Sequence, residues 1–186
     1  MEFNPSIYDD WEANSYIGII TIRFIDMKMK IRKTNISDLE WIRNLFINNW
    51  GSDFIVSRGK IQRPENLKGI IAEENEEKIG LATFNIENNE MGLVTIDSLK
   101  PKIGIGTLLM NELIKIAKEE KIKRLWLITT NDNLNALRFY QKNNFCLLKI
   151  YPGAIVESRR IKPQIPEMGE DGIPIRDEIE LEMLLQ

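Results

Sequence analysis

The feature that most constrains this chain is a change of hydrophobic period at the stretch KPKIGIGTLL, residues 100–109. Before this stretch, MGLVTIDSL has the β-prone composition of a strand. After it, the apolar residues follow the i, i+3, i+4 spacing of a helix with one buried face: Ile105, Leu108, Leu109, Leu113, Ile116 and Ala117. The apolar segment KRLWLITT then predicts a central strand. The helix is therefore a crossover that places the strand at residues 123–130 parallel to its predecessor.

Shorter elements surround this crossover. Residues 29–34 suit a strand, and Ser37 and Glu40 form a capping box for a helix. The apolar stripe of that helix consists of Leu39, Ile42, Leu45 and Phe46. LKGIIAEE, KIGLATFNI and MGLVTIDSL predict an antiparallel meander, whereas GSDFIVSRGKIQRPEN is interpreted as irregular. A helix over NLNALRFYQKN and strands over FCLLKIY and RDEIELEM complete an α/β layout with a mixed sheet.

Length and composition indicate one domain. A chain of 186 residues with 43% hydrophobic residues has enough apolar material for one substantial core. We expect the domain to span residues 27–186, with a C-terminal extension at 152–186. Residues 1–26 are interpreted as an N-terminal extension or an added strand.

Charge and two scarce residue types exclude several function classes. The chain has 25 Lys and Arg against 28 Asp and Glu, a net charge of −3, which is unlike the basic face of a nucleic-acid-binding protein. It has no histidine, so the commonest zinc ligand and general base are both missing, and we expect no metal. The one cysteine, Cys146, is interpreted as a small core residue. Without a membrane-spanning apolar run or a signal peptide, a cytoplasmic protein without membrane association is expected.

Gly104 and Gly106 form a Gly-x-Gly turn immediately before the long helix. A Rossmann loop would have a third glycine where Leu109 stands, and the Walker A pattern is absent. The unpaired N–H groups of a first helical turn and the helix dipole favour an anionic group at such a position. By itself, the pair fits either a phosphate-binding loop or a turn that needs two small residues.

Several further positions occur in the order typical of one family. The segment IGIGTLLMNELIKIAKEEKIKRLWLITTNDNLNALRFYQKNNF resembles the central motifs of the GCN5-related N-acetyltransferase (GNAT) superfamily. There, an Arg/Gln-x-x-Gly-x-Gly/Ala loop is followed by a helix, a strand and an Asn-x-x-Ala-x-x-x-Tyr helix. The matching positions are Gly104, Gly106, Asn133, Ala136, Tyr140 and the closing aromatic Phe145. The resemblance implies a GNAT-type sheet flanked by helices and transfer of an acetyl group from acetyl-CoA to a primary amine.

The resemblance also implies roles for single residues. It places the cofactor in a splay between the strands at residues 91–99 and 123–130. The cofactor-binding residues would be Leu99, Lys102, Ile103, Gly104, Ile105, Gly106, Thr107, Asn133 and Ala136. Tyr140 would protonate the leaving thiolate, with core packing as its alternative role. Asn133 would hold the pantetheine arm, cap its helix, or do both.

Deprotonation of the acceptor amine would require a carboxylate, a water chain or bulk solvent, because no histidine is present. Asp97 and Glu90 lie beside the central strand and are the carboxylate candidates, whereas Gly92 stands where a carboxylate would be expected. The segment 129–132 is interpreted as either a lining of the acceptor side or a turn.

Two positions depart from the GNAT pattern. Pro101 replaces the usual Arg or Gln, so either Lys100 and Lys102 supply the positive charge or both are solvated surface residues. Asn144 replaces a glycine and tolerates the left-handed backbone of a helix C-cap. Two other functions therefore stay open, namely an acyl-CoA-binding module without catalysis and an interaction domain without cofactor.

The C-terminal segment KPQIPEMGEDGIPIRDEIELE is similar to that of a bacterial GNAT subgroup with a KPxIPxxGxxGIPIRDEIELE-type C-terminus. The resemblance does not name the acceptor, which is expected to be a small-molecule or peptide amine, and it allows a homodimer. The acidic residues at 167–182 either form a solvated sheet edge or attract a cationic amine, and the solvated edge is favoured for most of them.

Overall fold

The structure is a computed structural model that describes residues 29–100 and 103–185. The predictions for residues 1–26, for Pro101 and for Lys102 therefore lie outside the described residues. No helix in the described ranges is long and apolar enough to cross a membrane.

The described chain alternates strands and helices much as its hydrophobic pattern predicts. The helices are α1 (Leu39–Trp50), α2 (Ile105–Glu119), α3 (Leu134–Lys142) and α4 (Ala154–Ile161). The strands are β1 (Met29–Lys33), β2 (Ile55–Ser57), β3 (Lys60–Gln62), β4 (Lys68–Glu74), β5 (Glu77–Glu87), β6 (Glu90–Ser98), β7 (Arg124–Thr130), β8 (Cys146–Tyr151) and β9 (Glu178–Leu184).

Seven strands form one mixed sheet in the order β1-β4-β5-β6-β7-β9-β8. β4, β5 and β6 form the predicted antiparallel meander, and β6 and β7 form the predicted parallel pair connected by α2. The predicted fold class is confirmed. β9 lies between β7 and β8 and pairs antiparallel with both, so the interpretation of the acidic segment as a sheet edge is wrong for this strand. β8 occupies the edge instead.

Apolar side chains fill both faces of the sheet. One core contains Leu109 and Leu113 of α2 packed with Leu125 and Leu127 of β7. The other contains the apolar face of α1 and the residues of β4 and β5 that it covers: Ile42, Leu45, Phe46, Ile71 and Leu81. Burial of these side chains holds the helices on the sheet, because removing apolar surface from water is the main favourable term in folding.

Two assignments of core residues are wrong. Leu108 is 37% exposed, and Met110 is buried in its place, because the buried face of α2 is rotated relative to the predicted one. Cys146 is exposed because it begins the edge strand β8.

The local structure differs from prediction in three places. Asn35, rather than Ser37, caps the first helical region, since its side chain accepts a hydrogen bond at the start of a 3₁₀ turn. The segment interpreted as irregular contains the hairpin β2–β3, whose turn residues Arg58 and Gly59 both have positive φ, as tight hairpins require. α4 was not predicted.

Candidate functional site

A cleft opens where β6 and β7 separate. The two strands pair from Glu90 and Arg124 to Leu93 and Leu127, and no pairing continues beyond that point in the described residues. Next to it, the register with β5 shifts so that Val94 has no partner, which makes a β-bulge. Bulges bend a strand and increase its twist, which accounts for the divergence. The cleft has a volume of about 1020 Å³.

We call the part of the cleft between the diverging strands, α2 and α3 the splayed end. Here β6 keeps its hydrogen bonds to β5 but has no strand partner on its other side among the described residues. Backbone N–H and C=O groups on that side are strong hydrogen-bonding groups without a ladder partner. They are therefore positioned to bind a ligand lying along the strand.

The amino end of α2 forms one wall of the splayed end. Gly104 precedes the helix with φ +87°, a left-handed conformation that glycine adopts without strain. The first helical hydrogen bond runs from the Leu108 N–H to the Gly104 carbonyl, so the N–H groups of the three residues between them have no acceptor within the helix. A Cβ atom on Gly106 would lie 3.4 Å from Cζ of Phe139 in α3. Alanine would therefore make an ordinary contact at this position, whereas a larger side chain would meet the Phe139 ring.

The predicted cofactor-binding residues other than Lys102 fall into three groups. Gly106, Asn133 and Ala136 line the cleft. Exposed positions at or beside the start of α2 are Leu99, Ile103, Gly104 and Thr107. The side chain of Ile105 is 1% exposed and belongs to the core, so only its backbone can contact a ligand.

Asn133 caps α3, because its Oδ1 accepts a hydrogen bond from the Ala136 N–H at 3.0 Å. This is the capping role given to it as an alternative in the sequence analysis. The amide NH₂ group donates no hydrogen bond to another described residue. Asn144 has φ +66°, the predicted left-handed conformation.

Lys100 is not a free positive charge beside the turn. Its ammonium group lies 2.9 Å from a carboxylate oxygen of Glu74 and 2.8 Å from one of Glu77. Of the described residues at this turn, the backbone N–H groups of α2 are therefore better placed than Lys100 to bind an anion.

Tyr140 lies in the wall of the cleft and is 9% exposed. Its ring packs edge to face against Phe139 and Phe145, with centroid distances of 5.4 and 5.8 Å. Burial raises the pKa of Tyr140, and the negative charge of Asp97 raises it further. The phenol therefore stays protonated at neutral pH and can donate a proton or a hydrogen bond.

The two carboxylates considered as bases occupy different environments. Asp97 lines the cleft and accepts a hydrogen bond from Asn49 at 2.9 Å, while its Oδ2 is buried without a partner among the described residues. Burial raises the pKa of Asp97, and the hydrogen bond from Asn49 opposes that shift. Glu90 accepts a hydrogen bond from Arg124 at 2.9 Å. Asp97 is therefore the carboxylate of the two without a cationic partner.

No larger side chain fits at Gly92, where a carboxylate was expected. A Cβ atom there would lie 2.5 Å from Oδ1 of Asn85 and 2.9 Å from the ring of Trp126. Both distances are shorter than van der Waals contact. The close approach of these two side chains explains the glycine.

We call the other part of the cleft, beside β9, the charged end. Glu178 and Glu180 project from β9 opposite Thr130 and Ile128 of β7, and they are 2% and 8% exposed. Sequence reasoning treated them as largely solvated. The i, i+2 spacing of the two glutamates in RDEIELEM indicates that they share one face of a strand. The spacing does not indicate whether another segment covers that face.

The hairpin β2–β3 covers these carboxylates. The backbone N–H of Arg58 lies 3.2 and 3.1 Å from the two carboxylate oxygens of Glu178. The guanidinium carbon of Arg58 lies 3.4 Å from the ring centroid of Tyr151 in β8. Burial raises the pKa of Glu178, an effect that the Arg58 N–H reduces.

Glu180 has a different environment, although it lies only two positions further along β9. It accepts hydrogen bonds from the Arg124 guanidinium and the Tyr151 hydroxyl. Burial alone would raise the pKa of Glu180, but these hydrogen bonds and the nearby charges outweigh burial and lower it. Glu180 thus forms ion pairs, whereas Glu178 forms none among the described residues and has the Arg58 N–H, the Ser158 side chain and the Arg58 charge near it.

Lys162 follows α4 and lines the charged end. It is 3% exposed, and its Nζ donates to the Phe54 carbonyl at 3.0 Å. It forms no ion pair with another described residue. Burial lowers the pKa of Lys162. Sequence reasoning missed this residue, because KPQIP gives no sign of burial.

The segment 129–132 lines the cleft and also holds the chain that leads into β9. Thr129, Thr130 and Asp132 line the cleft. Asn131 instead fixes the approach to β9, because its Nδ2 donates to the Pro174 carbonyl and its Oδ1 accepts from the Arg176 and Asp177 N–H groups. Three of the four residues therefore line the cleft, whereas their place on the acceptor side stays a prediction.

Residues 35–145 match the model of the acetyltransferase (GNAT) family. The chain belongs to this family. It is 39% identical over 139 residues to the uncharacterized protein YdhI of Bacillus subtilis (strain 168), covering 74% of this chain and 87% of YdhI.

Solved structures share this GNAT fold at low sequence identity. A Bacillus subtilis acetyltransferase in complex with CoA is similar with a TM-score of 0.62 and 18% identity, over 86% of this chain and 99% of that one. A GNAT acetyltransferase from Elizabethkingia anophelis with acetyl-CoA bound has a TM-score of 0.62 and 22% identity, over 84% and 98%. The membership predicted from the central motifs is confirmed, whereas the C-terminal subgroup stays a prediction.

Proposed function

We propose that this GNAT-family chain transfers an acetyl group from acetyl-CoA to a primary amine. One observation carries the proposal: β6 separates from β7 directly beside the amino end of α2, and the cleft formed there continues to the charged end. A long cofactor and a separate acceptor can therefore enter one continuous cavity and meet within it.

The splayed end suits the cofactor. The N–H groups at the start of α2 have no acceptor within the helix and would bind the pyrophosphate, which would lie against the backbone at Gly106. The unpaired edge of β6 would bind the pantetheine arm, and the free amide NH₂ of Asn133 would donate to the same arm. Lys102 and the exposed residues around the turn, Leu99, Ile103, Gly104 and Thr107, would surround the nucleotide.

The reaction needs a donor for the departing sulfur. The neutral amine nitrogen attacks the thioester carbonyl carbon, the nitrogen gives up a proton to water or a carboxylate of the cleft, and the C–S bond breaks. Tyr140 would donate a hydrogen bond or a proton to the thiolate, because the residue lies in the cleft wall and its hydroxyl is protonated before the reaction. Backbone N–H groups next to the bulge at Val94 would stabilise the oxyanion.

Turnover of acetyl-CoA across a panel of amines tests the proposal, with released CoA detected through its thiol. Ethanolamine and ethylene glycol form a matched pair that separates transfer to nitrogen from transfer to oxygen. We expect CoA release with at least one amine class and none with the diol.

Calorimetry with acetyl-CoA separates the two other functions. Binding without CoA release on any amine would indicate an acyl-CoA-binding module. Absence of heat at millimolar acetyl-CoA would indicate an interaction domain and contradict the proposal.

A further inference from the structure

Lys162 and Glu178 are two buried side chains of opposite charge that line the same end of the cleft. Lys162 donates one hydrogen bond, to the Phe54 carbonyl, and its Nζ lies 5.5 Å from the centroid of the Phe54 ring, so no anion and only one hydrogen-bond acceptor contacts it among the described residues. A buried ammonium group is unfavourable unless an anion or several acceptors compensate it. The charged end therefore contains a cationic group that lacks an anion among the described residues.

Glu178 is the complementary case. The backbone N–H of Arg58 is shared between its two oxygens, and Ser158 and the Arg58 charge lie near it. The Arg58 guanidinium pairs with Glu180, however, and Glu178 itself forms no ion pair among the described residues. Arg124, by contrast, forms ion pairs with both Glu90 and Glu180. Lys162 and Glu178 do not form an ion pair with each other.

We propose that the acceptor is an amine that also carries an anionic group, with Lys162 binding the anion and Glu178 binding the amine end. The inference rests on the proposed acetyltransferase function and narrows its substrate class. A ligand with both charges would supply the partner that each buried side chain lacks, whereas a simple amine would leave Lys162 uncompensated and a diamine would place a second cation beside it. The anion is a carboxylate or a phosphate, either of which accepts from an ammonium group.

Matched acceptors test this directly. Initial rates are compared within the pairs β-alanine and propylamine, γ-aminobutyrate and butylamine, and phosphoethanolamine and ethanolamine, with putrescine as the dication. The expected result is a kcat/KM about tenfold to a hundredfold higher for the anionic member of at least one pair, the factor that corresponds to a charged hydrogen bond. The phosphate and carboxylate pairs distinguish the two sources of the anion.

Variants assign the preference to Lys162. Lys162→Met should remove the preference by lowering kcat/KM for the anionic acceptor far more than for its neutral counterpart, and the Kd of acetyl-CoA measured beside it shows that the cofactor still binds. Lys118→Met, at an exposed position of α2, is the matched control and should keep the preference. If Lys162→Met loses acetyl-CoA binding, Lys162→Arg replaces it and should keep the preference with an altered KM, because the charge is retained and the reach changes.

Three results would overturn the inference. These are equal or higher kcat/KM for the neutral amines and putrescine, an equal loss for both members of a pair in Lys162→Met, and loss of the preference in Lys162→Arg. Each leaves the proposed function standing, because CoA is still released. Failure of every amine to release CoA overturns the proposed function, and the inference with it.

Discussion

The two ends of the cleft are built in different ways. The splayed end consists of backbone groups and small side chains from segments that follow one another in sequence: β6, the turn at Gly104, α2 and α3. The charged end consists of long ionisable side chains from segments far apart, and the Arg58 N–H and the Glu178 carboxylate are separated by 120 positions. Backbone groups bind a ligand without depending on the identity of the side chains, whereas the ionisable side chains of the charged end can differ between proteins of the same fold.

The largest effect is expected for Tyr140 in the wall of the cleft. Tyr140→Phe should lower kcat about 100-fold or more, because general acid catalysis contributes about that factor. Acetyl-CoA affinity should stay nearly unchanged, since the ring still packs against Phe139 and Phe145. Steady-state kinetics and calorimetry on the same preparation measure both quantities. Unchanged kcat would mean that Tyr140 is a packing residue, its alternative role.

The second prediction concerns the backbone contacts of the splayed end. Gly106→Val should raise the Kd of acetyl-CoA about tenfold to a hundredfold. Steric overpacking costs about 1.4 to 3 kcal/mol, and this energy corresponds to that range of Kd. The branched side chain would extend beyond the Cβ position, which already lies in contact with the Phe139 ring. Gly106→Ala is the matched control, because its Cβ makes only an ordinary contact. Calorimetric Kd values that agree for valine, alanine and glycine would indicate a structural turn.

The third prediction uses the pair Glu178 and Glu180 at the charged end. The pKa of Glu178 is higher in the folded protein than in the unfolded chain, where it is about 4.3. Ionised Glu178 therefore lowers the free energy of unfolding above the folded pKa, and the residue has no such effect below the unfolded pKa. Glu178→Gln should therefore unfold at higher urea than the wild type near neutral pH, with a gain that disappears toward pH ~4. Its rate on the acceptor should fall.

Glu180 should show the opposite sign. Its pKa is lowered, so its contribution to stability is present above the unfolded pKa and is lost as pH falls through the folded one. Glu180→Gln should cost about 1.5 to 3 kcal/mol near neutral pH, because Arg124 and Tyr151 lose a charged acceptor. Urea unfolding of both variants between about pH 3 and 7.5 gives the comparison. If both variants change the free energy of unfolding near neutral pH in the same direction, the predicted contrast between Glu178 and Glu180 is wrong.

The smallest effect is expected at Lys100. Lys100→Met should change the Kd of acetyl-CoA less than about threefold, because the ammonium group is already paired with Glu74 and Glu77 and an exposed pair contributes little. A loss as large as that of Gly106→Val would show that Lys100 leaves its carboxylates to bind phosphate. Calorimetric titration of Lys100→Met with acetyl-CoA measures this Kd.

Much of the splayed end could be predicted, because short-range patterns encode it. The change of period around Gly104 predicts a strand, a helix and a parallel strand, and the handedness of such crossovers fixes their arrangement. Asn133 caps the short helix that carries Tyr140, and their spacing of seven residues puts both on one face of it, two turns apart. The assignment of Leu108 to the core failed because the direction of a helix's buried face depends on what the helix packs against.

The charged end could not be predicted. The alternation of RDEIELEM correctly gives a strand with its glutamates on one face, but it does not give the neighbours of that strand or the hairpin that covers it. Lys162 has an ordinary surface composition around it, and its burial follows from the contact with Phe54, 108 positions away. The environment of these charges, and hence the direction of each pKa shift, depends on contacts between distant segments.

By itself the sequence determined the order of elements, the crossover, the Gly-x-Gly turn and the helix that carries Tyr140, because periodicity and local backbone preferences act over a few residues. Only the tertiary structure decided that Lys100 is paired, that Gly92 admits no side chain, and that Lys162 and Glu178 are buried and unpaired in one cavity. The physical reason is that burial and charge pairing are properties of what surrounds a group, and segments over a hundred positions apart supply those surroundings here.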